Sequence, residues 1–158
     1  MTIITLRKLN VLITGASSGI GKAAAKQLGR EGYHVILTAR RENLLQELKL
    51  AIESEGGNSS IYPLDLTIEE NRIELVNKIQ KEHGGIDILI NNAGFGWYGY
   101  FHQMSWATST DMIMLNIIAL THLTRLVLPG MRQRGYGHII NISSILGSLP
   151  SQGVALYG

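Results

Sequence analysis

Apolar and polar positions follow two alternating patterns along this chain. Short runs rich in β-branched residues, each closed by a turn, are followed by longer stretches in which apolar residues recur at helical spacing. The short runs are nearly continuous in apolar residues, which is typical of parallel strands covered on both faces. They predict five strands, at residues 10–14, 33–38, 59–64, 86–90 and 138–143.

Four helices are predicted between these strands, around residues 20–28, 44–52, 73–79 and 111–132. In the first three, one helical face is apolar, as expected for helices that cover a sheet. The fourth helix has apolar residues in nearly every direction, so we expect it to be buried on more than one side. We predict that a partner subunit or further chain covers its second face.

The alternation of strands and helices predicts right-handed β-α-β crossovers and an open parallel sheet, which is the α/β class. The chain has 158 residues, enough for one hydrophobic core. It contains no internal repeat, low-complexity tract or linker, so residues 1–158 are interpreted as a single domain.

Composition argues against several classes of function. The 14 Lys and Arg residues are scattered without a basic stripe, so nucleic acid is not an expected partner. The chain has no cysteine, and its five histidines lack the paired spacing of metal ligands, so no metal site is predicted. No apolar run is interpreted as a membrane span, and we predict a cytoplasmic protein without a membrane partner.

A glycine-rich turn leads from the first strand directly into the first helix. Glycines in such a turn permit a tight bend, a close approach of backbone to a pyrophosphate, and close packing of helix on strand. Backbone N–H groups at the helix N-terminus then face an anion. The pattern predicts a dinucleotide site formed by Gly15, Ser17, Ser18, Gly19, Ile20 and Gly21.

Two other interpretations of this turn are weaker. An NTPase phosphate loop that ends in Gly21 and Lys22 requires Gly at position 16 and Ser or Thr at position 23. The chain has Ala16 and Ala23 there. An ordinary flexible turn is disfavoured because the glycines lie between a strand and a helix. Dinucleotide binding is therefore the prediction.

The end of the second strand indicates which dinucleotide is bound. An NAD site places an acidic residue there to bind the ribose 2′-hydroxyl. This chain has Arg40 and Arg41 instead, and guanidinium groups suit a 2′-phosphate. We predict NADP(H), with NAD(H) as the less favoured cofactor. In the alternative interpretation, both arginines are solvated and Glu42 supplies the acid.

Further motifs follow the later strands in order. Taken singly, each has an ordinary interpretation, such as a helix cap, a turn or a solvated amide. Together with the glycine spacing G-x-x-x-G-x-G, they resemble the short-chain dehydrogenase/reductase family over essentially the whole chain. These motifs are Asp65 and Leu66 after the third strand, Asn92, Ala93 and Gly94 after the fourth, Asn116 in the fourth helix, and Ser144 after the fifth strand with Tyr157 thirteen residues later.

The resemblance implies a Rossmann-type three-layer αβα sandwich with a five-stranded parallel sheet in the order 3-2-1-4-5. It also implies an oxidoreductase that transfers a hydride between NADP(H) and a small carbonyl or alcohol substrate. In that family Tyr157 would exchange a proton with the substrate oxygen, Ser144 would orient that oxygen, and Asn116 would hold a water in a proton relay. Cofactor contacts are implied for Asp65, which meets the adenine, and for Leu66, Asn92, Ala93 and Gly94.

One departure concerns the family's catalytic Lys, which would lie three positions beyond Gly158. A neighbouring ammonium stabilises a phenolate, so the chain as given is expected to be inactive. We expect the C-terminal strands to lie beyond it too, and interpret the sequence as an incomplete domain or a natural truncation. The helix at 111–132 is expected to pair subunits into a homodimer or homotetramer.

Two alternatives to an enzyme remain open at this point. One is an NADP(H)-binding sensor or regulatory protein, and the other is an interaction protein that uses the apolar fourth helix. The aromatic residues within 95–101 also allow two interpretations. They either contact the substrate or pack on their own domain.

Overall fold

The structure is a computed structural model that describes residues 8–148 and 152–157. Its five strands are β1 Asn10–Thr14, β2 His34–Ala39, β3 Asn58–Pro63, β4 Ile88–Asn91 and β5 His138–Asn141. Its four long helices are α1 Gly19–Arg30, α2 Glu42–Ser54, α3 Glu69–His83 and α4 Trp106–Arg134. Short 3₁₀ helices lie at Phe101–Gln103 and Ile145–Gly147.

The strands form one parallel sheet in the order β3-β2-β1-β4-β5, as the sequence predicts. In the centre, Leu12 of β1 is paired with Ile36 of β2 on one side and Leu89 of β4 on the other. The sheet order reverses direction between β1 and β4, because the chain first adds strands on one side of β1 and then on the other. Ligands of such folds bind at this reversal.

Helices cover both faces of the sheet, and alternation along β1 shows how. Val11 and Ile13 point into an apolar cluster with α1 and α2, which includes Leu45 and Leu48. Leu12 points the other way, into a second cluster that α3 and α4 complete. Because side chains alternate along a strand, this one strand contributes to both cores. The three-layer αβα sandwich is thereby confirmed.

The strand ends differ from the predicted ones by no more than two residues. The clearest case is β5, which was predicted to reach residue 143 and ends at Asn141. The backbone N–H of Ile142 still donates to the Asn91 carbonyl at 2.9 Å. Beyond it, Ser144 caps the following 3₁₀ helix, and its Oγ accepts from the N–H of Leu146 at 3.2 Å. The cap ends the extended backbone.

Helix α4 begins at Trp106, five residues before the predicted start at 111. Ser105 explains the difference, because its Oγ accepts from the N–H of Thr108 at 3.0 Å and caps the first turn. In the middle of α4, Met114–Ala119 forms a π-helical segment. Such a segment accommodates one extra residue in the helix and often marks a functional site.

The two sides of α4 differ in exposure. Leu123, Val127 and Met131 are buried against the sheet, whereas Ile117 and Ile118 are exposed. With 29 residues, α4 is long and apolar enough to cross a membrane by length and composition. The sequence prediction that no segment spans a membrane stays a prediction. The structure shows one side of α4 packed in a core of the domain.

A polar cluster lies at the amino end of the sheet, opposite the end where the strands feed the glycine turn. The His34 ring bonds through Nδ1 to Asn10 Oδ1 and through Nε2 to Ser60 Oγ, each at 3.0 Å. Burial, with the electrostatic influence of His83 and Lys8, lowers the pKa of His34 to about 4. The imidazole is therefore neutral in the folded protein at neutral pH.

Candidate functional site

The main cleft of the structure, about 690 Å³ in volume, opens at the carboxyl ends of the strands, beside the reversal between β1 and β4. The loops after β1, β2, β3 and β4 all contribute to it. Twelve of the thirteen predicted cofactor residues line this cleft, namely Gly15, Ser17, Ser18, Gly19, Ile20, Arg40, Arg41, Asp65, Leu66, Asn92, Ala93 and Gly94. The thirteenth, Gly21, lies behind the lining.

Thr14 and Asn92 fasten the two loops on either side of the strand reversal. Thr14 Oγ1 accepts from the backbone N–H groups of Asn92 and Ala93, both at 2.9 Å. The Asn92 side chain adds a further bond in the same direction, because its Nδ2 donates to the Thr14 carbonyl at 2.9 Å. The glycine turn and the loop after β4 therefore form one rigid unit at the floor of the cleft.

Two glycines of the turn are required by close approach. Gly15 has a φ of +65°, and a Cβ there would lie 2.8 Å from Ala93 Cα. A Cβ on Gly21 would lie 2.5 Å from Asn92 Nδ2 and 2.8 Å from the Gly15 carbonyl oxygen. Gly21 thus allows the start of α1 to reach the strand end, as the sequence predicts. The turn leaves room for a ligand against bare backbone.

Arg41 reaches from the end of β2 to the glycine turn. Its Nη2 donates to Ser17 Oγ at 2.8 Å and to Ser18 Oγ at 3.0 Å. Arg40 beside it is exposed and also lines the cleft. One guanidinium and two hydroxyls therefore meet at one corner, with Arg40 in the same cleft, and these are groups that suit a phosphate dianion. Glu42 lies in the first turn of α2 and does not line the cleft.

The loop after β3 forms the opposite wall of the cleft with Asp65, Leu66 and Thr67. Asp65 Oδ1 accepts from the N–H of Thr67 at 2.9 Å and from its hydroxyl at 2.7 Å. The N-cap residue of α3 is Ile68. Asp65 thus stabilises its own loop. The ordinary interpretation of Asp65 as a helix cap does not hold, because Ile68 is at the N-cap position.

Asn116 lies in the π-helical segment of α4 and holds the loop that follows Gly94. Its Oδ1 accepts from the N–H of Phe95 at 3.1 Å, and its Nδ2 donates to the Phe95 carbonyl at 2.9 Å. Both ends of the amide are therefore used on one backbone residue. The water-holding role implied by the resemblance stays a prediction.

Ser144 and Tyr157 both lie in the segment after β5, outside the lining of the cleft. Ser144 is half-buried and caps the 3₁₀ helix through its hydroxyl. The Tyr157 ring lies against Gly96, where a Cβ would be only 3.3 Å from Tyr157 Cγ. Their catalytic roles stay predictions, and the structure places Tyr157 beside the loop that Asn116 holds.

The aromatic loop at 95–101 is exposed in part and also bonded to its own domain, and its contact with substrate stays a prediction. Tyr98, Tyr100 and Phe101 are strongly exposed. Yet the loop is tied to the segment before Tyr157, since the Gly99 N–H donates to the Gly153 carbonyl at 2.9 Å.

Several residues of the cleft were not identified from the sequence. Thr67 extends the Asp65 motif, and a hydroxyl directly after that motif was the available signal. The others carry no local signal, because two lie at or directly after the ends of β2 and β3 and two lie on α4. They are Ala39, Leu64, Asp111 and Leu115.

Comparison with known proteins gives the same family. The family model for short chain dehydrogenase matches residues 9–158. The NADP-dependent 3-hydroxy acid dehydrogenase of Escherichia coli is 40% identical over 149 residues, covering 94% of this chain and 59% of that protein. A fatty acyl-CoA reductase of Mycobacterium tuberculosis is 41% identical over 143 residues, covering 89% of this chain and 49% of that protein. The chain thus spans about half to three-fifths of these relatives.

Solved structures agree with this assignment. A metagenomic short-chain oxidoreductase in complex with NADP superposes with a TM-score of 0.91 and 37% identity, covering 94% of this chain and 68% of that one. A short-chain dehydrogenase from Sphingobium yanoikuyae in complex with NADPH gives a TM-score of 0.86 at 37% identity, covering 94% and 59%. The fold, the cleft and the family match coincide over the same residues. The chain belongs to the short-chain dehydrogenase family.

Proposed function

We propose that this chain provides the NADP(H)-binding part of an oxidoreductase that transfers a hydride between the cofactor and a small carbonyl or alcohol substrate. The observation that carries the proposal is the corner formed by Arg41, Ser17 and Ser18, where a guanidinium and two hydroxyls meet within 3.0 Å. The names of the Escherichia coli relative and of two solved structures support NADP(H) over NAD(H).

The residues present fit such a dinucleotide. The backbone at Gly15 and the start of α1 would offer N–H groups to the pyrophosphate. Glycine is needed at positions 15 and 21, because a side chain there would collide with the loop after β4. Arg41 and Arg40 would hold the 2′-phosphate, and Asp65 and Leu66 would border the adenine. Asn92, Ala93 and Gly94 line the same cleft and would contact the dinucleotide beyond its pyrophosphate.

When bound, the reduced cofactor supplies the hydride for the substrate carbonyl carbon. In the reducing direction, the Tyr157 hydroxyl donates a proton to the substrate oxygen, so that the product is an alcohol. Ser144 donates a hydrogen bond to that oxygen and orients it. Asn116 supports the reaction by holding the backbone at Phe95, next to the Gly96 that contacts the Tyr157 ring.

A second copy of the chain is the partner that we propose for α4. The support is its outward apolar surface, with Ile117, Ile118 and Leu128 exposed. Homodimer and homotetramer are both compatible with that surface. Sedimentation velocity measures the assembly, and a purely monomeric full-length protein would contradict it. A cytoplasmic location stays a prediction.

Cofactor choice is tested by titrating NADPH and NADH into the wild type and Arg41→Met. We expect the wild type to prefer NADPH, and the variant to bind NADPH about tenfold more weakly because it loses a charged donor. NADH affinity should change little. Arg30→Met is the matched control, because Arg30 pairs with Glu55 on the surface away from the cleft. Equal affinity of the wild type for both cofactors would contradict the NADP(H) proposal.

Activity is tested with the full-length protein, by NADPH oxidation in the presence of a panel of aldehydes and ketones. Turnover should depend on Tyr157, so Tyr157→Phe should lower kcat by about a hundredfold or more while NADPH still binds. Tight NADPH binding without any turnover would instead favour a sensor or regulatory protein.

A further inference from the structure

Arg72 in the first turn of α3 is a buried cation, with only 1% of its surface exposed. Its Nη1 donates to the Leu66 carbonyl at 2.6 Å, and its Nε donates to Nδ1 of His122 at 3.0 Å. Burial of an arginine is rare because its charge must leave water. A side chain kept in this position at such a cost needs a structural or functional reason.

The Leu66 carbonyl belongs to the wall of the cleft that borders the adenine in the proposed function. The preceding carbonyl, of Asp65, accepts from Asn71 Nδ2 at 2.9 Å. Side chains of two adjacent α3 residues therefore hold two consecutive peptide groups of this wall. With both carbonyls directed to α3, the orientation of the loop backbone is fixed, and Asp65 and Leu66 are residues that line the cleft.

His122 connects the same arginine to α4. In this bond Nδ1 of the His122 ring is the acceptor. Leu66 also packs in one apolar cluster with Ala119 and Leu123 of α4. The wall of the cleft is thus joined to α4 by both a polar and an apolar contact. The same helix holds Asn116 at the other end of the site.

From these contacts we infer that Arg72, held by His122, is a positioning residue for the dinucleotide. It fixes the Leu66 carbonyl and thereby the shape of the wall that receives the adenylate end. The inference rests on the proposed function, because it assumes a dinucleotide in this cleft. Arg72 touches no reacting atom, so its removal should weaken binding of the adenylate end and leave the chemistry at the nicotinamide end intact.

The test separates the two ends of the cofactor. Binding of 2′,5′-ADP to the full-length protein is measured by calorimetry for wild type, Arg72→Met and Arg72→Lys, with Arg30→Met as the exposed control. Arg72→Met, which keeps the length and loses the donors, should raise the Kd about tenfold, the loss expected for a charged hydrogen bond. Arg72→Lys should restore part of the affinity, and Arg30→Met should leave the Kd unchanged.

Kinetics give a second readout that general damage to the fold would not reproduce. In Arg72→Met, KM for NADPH should rise with little change in kcat. With reduced nicotinamide mononucleotide, which lacks the adenylate, wild type and variant should have the same kcat/KM. An equal loss with both cofactors would overturn the inference, because it would mean damage spread over the whole site.

His122 variants provide the test if Arg72→Met does not fold. His122→Asn places an amide oxygen near the position of Nδ1 and should keep the 2′,5′-ADP affinity within about twofold, whereas His122→Phe should weaken it several-fold. Equal affinities of folded His122→Phe and wild type would overturn the inference alone. A wild type that binds no 2′,5′-ADP would overturn the proposed function, and the role of Arg72 with it.

Discussion

Asn92 donates two hydrogen bonds to Thr14 across the strand reversal, and these bonds fix the floor of the cleft. The Thr14 hydroxyl accepts from the Asn92 N–H, while the Asn92 side chain donates to the Thr14 carbonyl, both at 2.9 Å. The residues are 78 positions apart in the chain. A contact between such distant residues forms only when β1 and β4 are paired, so the site depends on the completed centre of the sheet.

The first prediction concerns the Thr14 hydroxyl. Thr14→Val keeps the shape but leaves the N–H groups of Asn92 and Ala93 without their acceptor, so it should lower the free energy of unfolding by about 1–3 kcal/mol. Thr14→Ser keeps the hydroxyl and loses one methyl group, so it should cost about 1 kcal/mol or less. Urea denaturation of the two variants measures the difference. A valine variant as stable as the serine variant would mean that these bonds contribute nothing.

The second prediction concerns Gly21. Gly21→Ala places a Cβ within 2.5 Å of Asn92 Nδ2 and 2.8 Å of the Gly15 carbonyl oxygen. Backbone must move to relieve the second contact, so we expect a loss of about 1–3 kcal/mol of stability and weaker NADPH binding. Gly147→Ala is the control, because no atom lies within 4 Å of the added Cβ. Comparable melting temperatures for the two variants would refute this account of the turn.

The third prediction concerns pH. The folded protein keeps His34 neutral down to a pKa of about 4, whereas an unfolded His protonates near its ordinary value of 6.5. Between these values the unfolded chain binds a proton that the folded chain does not. Stability therefore falls as the pH drops from 6.5 towards 4, by at most about 1.4 kcal/mol per pH unit from this group.

Urea midpoints measured between pH 7 and pH 4.5 report this slope. In His34→Gln the stability at pH 7 should be lower, because contacts with Asn10 and Ser60 are altered, but its decline with acid should be shallower. His102→Gln, which changes an exposed histidine, should retain the wild-type slope. Parallel curves for wild type and His34→Gln would show that another group causes the acid sensitivity.

The fourth prediction concerns the two hydrogen bonds between the Asn116 side chain and the Phe95 backbone. Asn116→Leu removes both bonds, so the Phe95 amide should exchange with solvent about tenfold faster, as expected for the loss of one hydrogen bond. Asn116→Asp keeps an oxygen for the Phe95 N–H and loses only the donor to its carbonyl, so exchange should stay slow. Hydrogen exchange followed by NMR resolves this amide. Slow exchange in Asn116→Leu would show that other contacts hold the loop.

Local sequence signals predicted the sheet and the glycine turn well, because their causes are local. The bounds of β1 agree with the prediction at both ends, since its apolar run is directly followed by the turn residues. The order of the strands came from the family resemblance, and the structure confirms it. The residue types after β2 also indicated a place for a phosphate group, and Arg41 lines the cleft there.

Contacts between distant elements could not be predicted in this way. Nothing in the neighbourhood of Arg72 distinguishes it from a solvated arginine, because its burial depends on His122, which lies 50 positions away. The π-helical segment Met114–Ala119 of α4 also could not be predicted from the local sequence. An inserted residue rotates the apolar stripe between the two halves of the helix, so the sequence showed apolar residues all round.

Ligand occupancy of the cleft has a consequence for the lifetime of the protein. The lining comes from the loops after four strands, so a molecule bound there opposes the separation of any of them. A ligand that binds only the folded form at a hundred times its Kd adds about 2.7 kcal/mol to stability. Proteases act on the unfolded fraction, and that fraction shrinks about a hundredfold under these conditions. A dinucleotide present at that concentration should therefore slow proteolysis of this protein, apart from any effect on catalysis.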